Sequence, residues 1–252
     1  MILGLEFPPV SHVVEWPTIF GEGPFGVNKV ILLMWISAAI VFGLLYAAGR
    51  QQSLVPRGTQ NVAETAVEFV ENEIVLPMIG PDGLRFTPFL LTLFTFIFVG
   101  NMWEVIPVAQ MPVNGRIALP LFMALVVYVI YHVVGVMSQG PINYLKSIMF
   151  LPGVPKAMYV LLTPIELVTR FFTQPFSLAV RLFANMLAGH LLLVSFAVIT
   201  QALVTSLFIG GAIPLALLIF LMGFEVLVSI LQAYIFTILT AYYIGAAMHP
   251  EH

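Results

Sequence analysis

A row of polar side chains runs through a long apolar stretch in the second half of the chain. At about 100° per residue, five of them fall within about 40° of one line on a helix: Arg170, Gln174, Ser177, Arg181 and Asn185. Placing an arginine at the bilayer centre costs ~2.5–3.5 kcal/mol of insertion free energy. An arginine is therefore found there only where it has a charged or polar partner, a water-filled cavity or a function. The pattern predicts that Arg181 handles ions at membrane depth.

Two more ionisable residues accompany this row. His190 comes nine residues after Arg181, which places it roughly on the opposite side of the same helix. Glu225 is the one carboxylate of the last apolar segment, and it shares a face with Ser229 and Gln232 at spacings of four and three residues. Two interpretations are open. Arg181 and Glu225 could form a structural ion pair, or the ionisable residues could line an ion path. Charged residues inside a membrane more often mark an ion path.

Other polar residues have weaker claims to function. Glu166 begins the helix that carries Arg181, and it could line a vestibule or be an ordinary carboxylate at the interface. Arg170 lies about three turns before Arg181, where it could snorkel or pair structurally, or line an exit path. We expect packing and interface roles for three further residues, His132, Trp103 and Glu104.

No cofactor or metal site is predicted. The remaining histidines, His12, His249 and His252, lie in terminal segments and are accidental metal binders at best. The chain has no cysteine, which excludes disulfides, an iron–sulfur cluster and a cysteine-based zinc site. It also lacks a P-loop or a GxGxxG motif, and its nine Lys and Arg residues are too scattered for a nucleic-acid surface.

The composition is that of a membrane protein. Hydrophobic residues make up 60% of the 252 positions and charged residues only 8%, so the chain cannot cover a water-soluble globule with polar surface. The mean hydropathy of +1.04 also indicates a membrane protein. Lipid is therefore the expected solvent for most of the surface.

The hydropathy pattern predicts an all-α polytopic protein with five crossings. They fall at residues 30–49, 86–103, 117 to about 138, 158–208 and 215–248. The last two exceed the length of an upright span, so we expect them to tilt strongly or bend. Residues 59–76 form an amphipathic helix with Val62, Ala66, Phe69, Val70 and Ile74 on one stripe, expected at the interface and docked on protein.

The segment before the first crossing, residues 1–28, lacks the pattern of a cleaved signal peptide and is predicted to lie outside the membrane. Residues 29–252 are predicted to form one membrane domain. Basic residues near the helix ends give the orientation, because cytoplasmic loops carry more of them. Five lie on one side (Arg50, Arg57, Arg85, Lys146 and Lys156), and two on the other (Lys29 and Arg116). This predicts an external N-terminus and a cytoplasmic C-terminus.

Two segments resemble a known family. QPFSLAVRLFANMLAGH, residues 174–190, and LQAYIFTILTAYYI, residues 231–244, are similar to subunit a of the F-type ATP synthase, and the similarity extends over nearly the whole chain. The resemblance implies a stator subunit in a bacterial cell membrane. The two long tilted helices of such a subunit lie against the rotor ring of c subunits. It also implies b-type peripheral stalk subunits as partners, and no ATP chemistry or cofactor in this chain.

The resemblance assigns roles to individual residues. Arg181, in RLFANM, corresponds to the essential charge that faces the rotor carboxylates, and Asn185 and Gln232 correspond to its polar neighbours. Many bacterial members carry glutamate where this chain has His190, and the position of Glu225 varies in the opposite sense. This implies that the acid and the imidazole are both needed but can exchange helices.

The implied mechanism uses two offset half-channels. A rotor carboxylate can cross lipid only when it is protonated, because an ionised carboxylate in hydrocarbon is prohibitively costly. Opposite Arg181 the ionised form is favoured and the proton leaves. The fixed charge also repels a proton that would pass directly between the half-channels. His190 and Glu225 would relay protons on the outer side, since an unperturbed imidazole titrates near neutral pH.

Two other functions compete with this interpretation. A secondary transporter also buries charges at mid-membrane, but it typically shows paired halves with interrupted helices, and no internal repeat is evident in the sequence. A purely structural scaffold would not need the arginine row. Transport by the isolated chain would favour a transporter, since the ATP synthase interpretation requires a c-ring.

Overall fold

Helices dominate the computed structural model, which describes residues 17–21, 26–50, 57–106, 109–150, 155, 158–206 and 211–249. Five helical segments are long and apolar enough to cross a bilayer, at residues 29–50, 81–102, 118–139, 159–204 and 212–248. The predicted all-α polytopic membrane protein with five crossings is confirmed. One departure is a small antiparallel hairpin of β1 (Thr18–Phe20) and β2 (Val27–Asn28).

The first crossing, α1 (Lys29–Arg50), begins at a capping residue. The Asn28 side-chain oxygen accepts the backbone N–H of Ile31 at 3.0 Å, which satisfies one of the donors that a helix start leaves unpaired. Further along, the Ser37 hydroxyl donates to the Leu33 carbonyl and accepts the indole N–H of Trp103 at 2.7 Å. Trp103 therefore anchors α1 against the end of the second crossing, in agreement with its predicted packing role.

The predicted amphipathic helix at residues 59–76 is interrupted. It consists of α2 (Thr59–Val70), a π-turn (Glu71–Val75) and the short helix α3 (Leu76–Met78), followed by a 3₁₀ turn (Pro81–Phe86). Val70 and Ile74 are buried in the chain, whereas Val62 is 58% exposed on its surface. Phe69 contacts the rings of Phe94 and Tyr234, which supports docking on protein.

The second and third crossings are α4 (Thr87–Met102) and α5 (Ala118–Gln139). A 3₁₀ turn (Val113–Gly115) lies between them. The polar segment that follows α5 is mostly the helix α6 (Pro141–Met149). Gly140 separates the two helices with φ of 80°, a backbone conformation that glycine adopts without strain.

The fourth crossing consists of α7 (Tyr159–Val168), a second π-turn (Thr169–Thr173) and α8 (Gln174–Ser206). The fifth crossing is the 37-residue helix α9 (Ala212–Met248). At ~1.5 Å per residue, α8 and α9 are roughly 50 and 55 Å long, whereas the hydrocarbon core is ~30 Å thick. Their length agrees with the predicted tilt or bend.

Both π-turns precede a proline in the same position. In each, the residue after the turn donates its N–H to the carbonyl five residues earlier, Leu76 to Glu71 and Gln174 to Thr169. Pro77 and Pro175 then follow directly. A proline inside a helix has no N–H and clashes with the carbonyl four residues earlier, and a local π adjustment is one way to accommodate it.

The chain divides into two compact units. The first unit contains Met1–Val41, Phe96–Arg116 and Phe183–Ala233, and the second contains Phe42–Thr95, Ile117–Leu182 and Tyr234–His252. The first unit holds several buried polar residues, and the second has an aromatic interior around α5. The prediction that residues 29–252 form one membrane domain stays a prediction.

Candidate functional site

In the first unit, a hydrogen bond joins α8 to α9. The Asn185 amide donates to the Gln232 side-chain oxygen at 2.7 Å. Gln232 is 1% exposed, and its own amide nitrogen has no hydrogen-bond partner within the described part of the chain. Asn185 and Gln232, predicted on separate helices, therefore meet, and a buried donor remains for a water or another ligand.

The Glu225 carboxylate lies directly against the backbone of α8. A Cβ atom on Gly189 would come within 2.6 Å of Glu225 Oε1 and 2.7 Å of Oε2. Glu225 is 3% exposed, and its Oε2 and the hydroxyl of Ser229 lack hydrogen-bond partners among the described residues. Because glycine has no side chain, α9 can approach α8 closely at Gly189.

His190 follows Gly189 and is buried, at 7% exposure. Arg181, nine residues earlier on α8, is exposed on the surface of the chain. The two side chains thus differ in environment, as expected for opposite helix faces. Arg181 precedes Asn185 by four residues, which is one turn of α8. The alternative of an Arg181–Glu225 ion pair stays a hypothesis.

Glu166 and Arg170 pair with each other in the second unit, at 3.8 Å from carboxylate oxygen to Nε, on half-buried side chains. The prediction that Arg170 continues the row of Arg181 assumed regular α geometry. The π-turn at Thr169–Thr173 is wider than an α-turn, so Arg170 is rotated away from the predicted line. The predicted alignment is therefore wrong for Arg170, and its structural pairing is the alternative that the ion pair supports.

Glu104 is a candidate that the sequence interpretation missed. It was expected at the interface, but it is 3% exposed, and neither of its carboxyl oxygens has a hydrogen-bond partner among the described residues. Burial, and to a lesser extent the charge of Glu225, raise the pKa of Glu104 to about 9, so the carboxyl is protonated at neutral pH. Glu104 and Glu225 therefore influence each other within the first unit.

Two buried asparagines extend this polar region near Glu104. The Asn114 amide donates to the Asn101 side-chain oxygen at 2.7 Å, and both residues are fully buried. Each keeps one polar atom without a partner among the described residues. The signal in the sequence was an asparagine in the last turn of an apolar helix with a carboxylate three residues later, which resembles an ordinary helix end.

The chain was compared with known proteins. The ATP synthase A chain family matches residues 31–245, a range that includes every candidate residue from Glu104 to Gln232. The chain belongs to the ATP synthase A chain family. It is 41% identical to ATP synthase subunit a of Frankia alni over 97% of this chain and 87% of that protein. It is 39% identical to ATP synthase subunit a of Rhodococcus erythropolis over 98% of this chain and 89% of that protein.

Four histidines have positions in the sequence outside α8 and α9. His249 lies 3.9 Å from Asp82 on the surface of the second unit. His132 packs among aromatic rings, including those of Tyr128 and Phe171, in agreement with its predicted packing role. His12 and His252 lie outside the described residues. Neither His132 nor His249 belongs to the group of buried polar residues in the first unit.

The contact between Gly189 and Glu225 gives a testable prediction. In Gly189→Ala, the new methyl group must displace the Glu225 carboxylate, because contacts of 2.6–2.7 Å cannot be kept. We expect reduced ATP-driven proton pumping with only a small loss of stability, because the atoms that must move are the end of a flexible side chain. Thermal denaturation of the assembled complex and acidification of vesicles measure the two effects.

Gly223→Ala is the matched control for this variant. Gly223 lies on the same helix as Glu225, two residues earlier, and a Cβ there meets nothing within 4 Å. We expect normal pumping and equal or slightly greater stability, because alanine is the better helix former. Equal pumping by the two alanine variants would show that the position of the Glu225 carboxylate does not matter.

Proposed function

We propose that this chain is the proton-translocating stator subunit of the membrane sector of an F-type ATP synthase. Family membership carries the proposal, together with the placement of Arg181 one turn before the Asn185–Gln232 hydrogen bond. The subunit performs no ATP chemistry itself. Its partners are the ring of c subunits and the b-type peripheral stalk subunits, and the bilayer is its solvent.

The proposed role of Arg181 is to discharge a rotor carboxylate. Its exposure on the surface of the chain leaves the guanidinium available to a partner. An arginine stays charged in every environment that a protein provides, so it favours the ionised form of a carboxylate opposite it. The same charge repels a free proton and so prevents it from passing directly from one half-channel to the other. Protons can then cross only on the rotating ring, so proton flow is coupled to rotation.

The proposed outer proton path runs through the buried polar groups of the first unit. His190, Glu225, Ser229 and Gln232 supply groups that can donate and accept, and Glu104 adds a carboxyl that is protonated at neutral pH. Polar atoms of Glu104, Glu225, Ser229 and Gln232 have no partner among the described residues. Such atoms are suited to bind the internal waters that carry protons between side chains.

Proton pumping is the deciding test of this function. Membrane vesicles that carry the assembled complex are energised with ATP, and acidification is compared between the wild-type chain and Arg181→Ala. We expect no acidification with the variant. The same assay, with equal amounts of complex, applies to each substitution in the outer path.

We further propose that the N-terminus lies outside a bacterial cell membrane and the C-terminus in the cytoplasm, as the bias of basic residues indicates. The chain has no cysteine of its own, so single cysteines can be placed without background. Asn143→Cys, near Lys146, should react with an impermeant thiol reagent only from the cytoplasmic side, and Ile117→Cys, next to Arg116, only from outside. Both positions are exposed. The reverse labelling pattern would invert the assignment of the entry side.

A further inference from the structure

The π-turn of the fourth crossing leaves backbone carbonyls without helical donors. The N–H of Gln174 bonds to the Thr169 carbonyl, so the next N–H would serve the carbonyl of Arg170 in π geometry or of Phe171 in α geometry. Residue 175 is a proline and has no N–H to offer to either. Inside a membrane, such a carbonyl needs a donor from elsewhere in the protein.

A tyrosine on the third crossing supplies that donor. The Tyr131 hydroxyl donates to the Arg170 carbonyl at 2.9 Å, and Tyr131 is 3% exposed. Its ring is held by the rings of Tyr128 and Tyr243, with centroids 5.6 and 5.8 Å away. A long contact of 3.4 Å from the Thr173 hydroxyl to the Val168 carbonyl supports the same turn from within.

The number of residues in this turn determines the direction of every side chain at the start of α8. Phe176 and Arg181 are exposed there, whereas Leu178, Ala179 and Leu182 are buried. Gain or loss of one residue in the turn rotates the following side chains by about 100° relative to α7. Arg181 would then lose its exposed position.

We propose that Tyr131 is a positioning residue for Arg181, because its hydrogen bond to the Arg170 carbonyl fixes the π-turn and with it the direction of α8. The importance of that direction for proton transport rests on the proposed function. The structural part of the proposal concerns this chain alone and can be tested without ATP or a partner.

The first experiment measures which face of α8 is exposed. The full chain is reconstituted in lipid vesicles and labelled with a lipid-soluble carbene reagent, and mass spectrometry compares Phe176 with Leu178. The wild-type chain should be labelled strongly at Phe176 and weakly at Leu178, since they are 61% and 2% exposed. Tyr131→Phe should lose this contrast, and Tyr128→Phe, which removes a hydroxyl from the same aromatic cluster, should keep it.

Pro175→Ala provides the rescue. It restores an N–H at position 175, which can serve the Arg170 carbonyl when the tyrosine hydroxyl is absent. The single variant should keep the contrast, and the double variant Tyr131→Phe with Pro175→Ala should regain it. If Tyr131→Phe does not insert into vesicles, recovery of insertion and contrast by the double variant supports the proposal.

Three results would overturn the proposal. The first is that Tyr131→Phe keeps the difference in labelling between Phe176 and Leu178. The second is that Tyr128→Phe loses this difference to the same extent as Tyr131→Phe, and the third is that the double variant does not recover it. Proton pumping by the assembled complex is then measured on the same variants, and Tyr131→Phe should pump less than Tyr128→Phe. If Arg181→Ala pumps normally while the labelling contrast behaves as expected, the proposed function fails and the positioning role of Tyr131 stands.

Discussion

Replacing Arg181 by alanine should abolish ATP-driven proton pumping while the complex still assembles. In the proposed mechanism, loss of the fixed charge removes what favours release of the proton from a rotor carboxylate and what blocks direct passage of protons between the half-channels. Assembly should survive because Arg181 is exposed on the chain surface, so its removal leaves no cavity in the core. The measurement is acidification of membrane vesicles that carry equal amounts of complex.

Arg181→Lys should also be severely impaired, although it keeps a positive group. A buried lysine can lose its proton, whereas an arginine does not, and lysine lacks the planar set of five N–H donors. Arg50→Ala serves as the control, because Arg50 is an exposed arginine at the end of α1 and should be dispensable for pumping. Normal coupled pumping by Arg181→Ala would refute the proposed role of this residue.

The crossings could be predicted from the sequence because each depends on local composition. An apolar run of about 20 residues has few alternatives in a bilayer, and the predicted bounds of α1 and α4 differ from the observed helix ends by one residue. The different environments of Arg181 and His190 agree with their predicted placement on opposite faces of one helix, since both lie on α8 after the π-turn.

The π-turns could not be predicted in the same way. A proline in an apolar helix can be accommodated by a kink, by a break or by a wider turn, and the outcome depends on which neighbour satisfies the freed carbonyls. At Pro175 that neighbour is Tyr131, 44 positions earlier in the sequence, a contact that no local pattern shows. The predicted alignment of Arg170 with Arg181 failed for this reason.

Glu104 was missed because its environment is set by tertiary packing. A carboxylate at the end of an apolar helix usually lies at the interface, where water solvates it. Here the residue is buried, and it lies close enough to Glu225 for that carboxylate to raise the pKa of Glu104 further. The meeting of Asn185 with Gln232 could be expected only from family resemblance, because residue spacing gives faces of single helices and not which faces meet.

Exchange of the acid and the imidazole between α8 and α9 should restore function that each single substitution removes. His190→Glu adds a carboxylate to a buried region that already holds Glu225, and like charges in a poorly solvated region repel each other strongly. Glu225→His removes the acid that lies against Gly189 and leaves two imidazoles. We therefore expect both single variants to pump protons poorly.

The double variant His190→Glu with Glu225→His again contains one acid and one imidazole in this region. If the two residues act as one relay, its rate of ATP-driven vesicle acidification should exceed that of both single variants, measured with equal amounts of assembled complex. Such non-additivity is expected for groups that titrate as a coupled pair. A double variant that pumps no better than the worse single variant would show that they are not coupled, and Glu225 would then have a structural role beside Gln232, where it fills the close contact between α9 and Gly189.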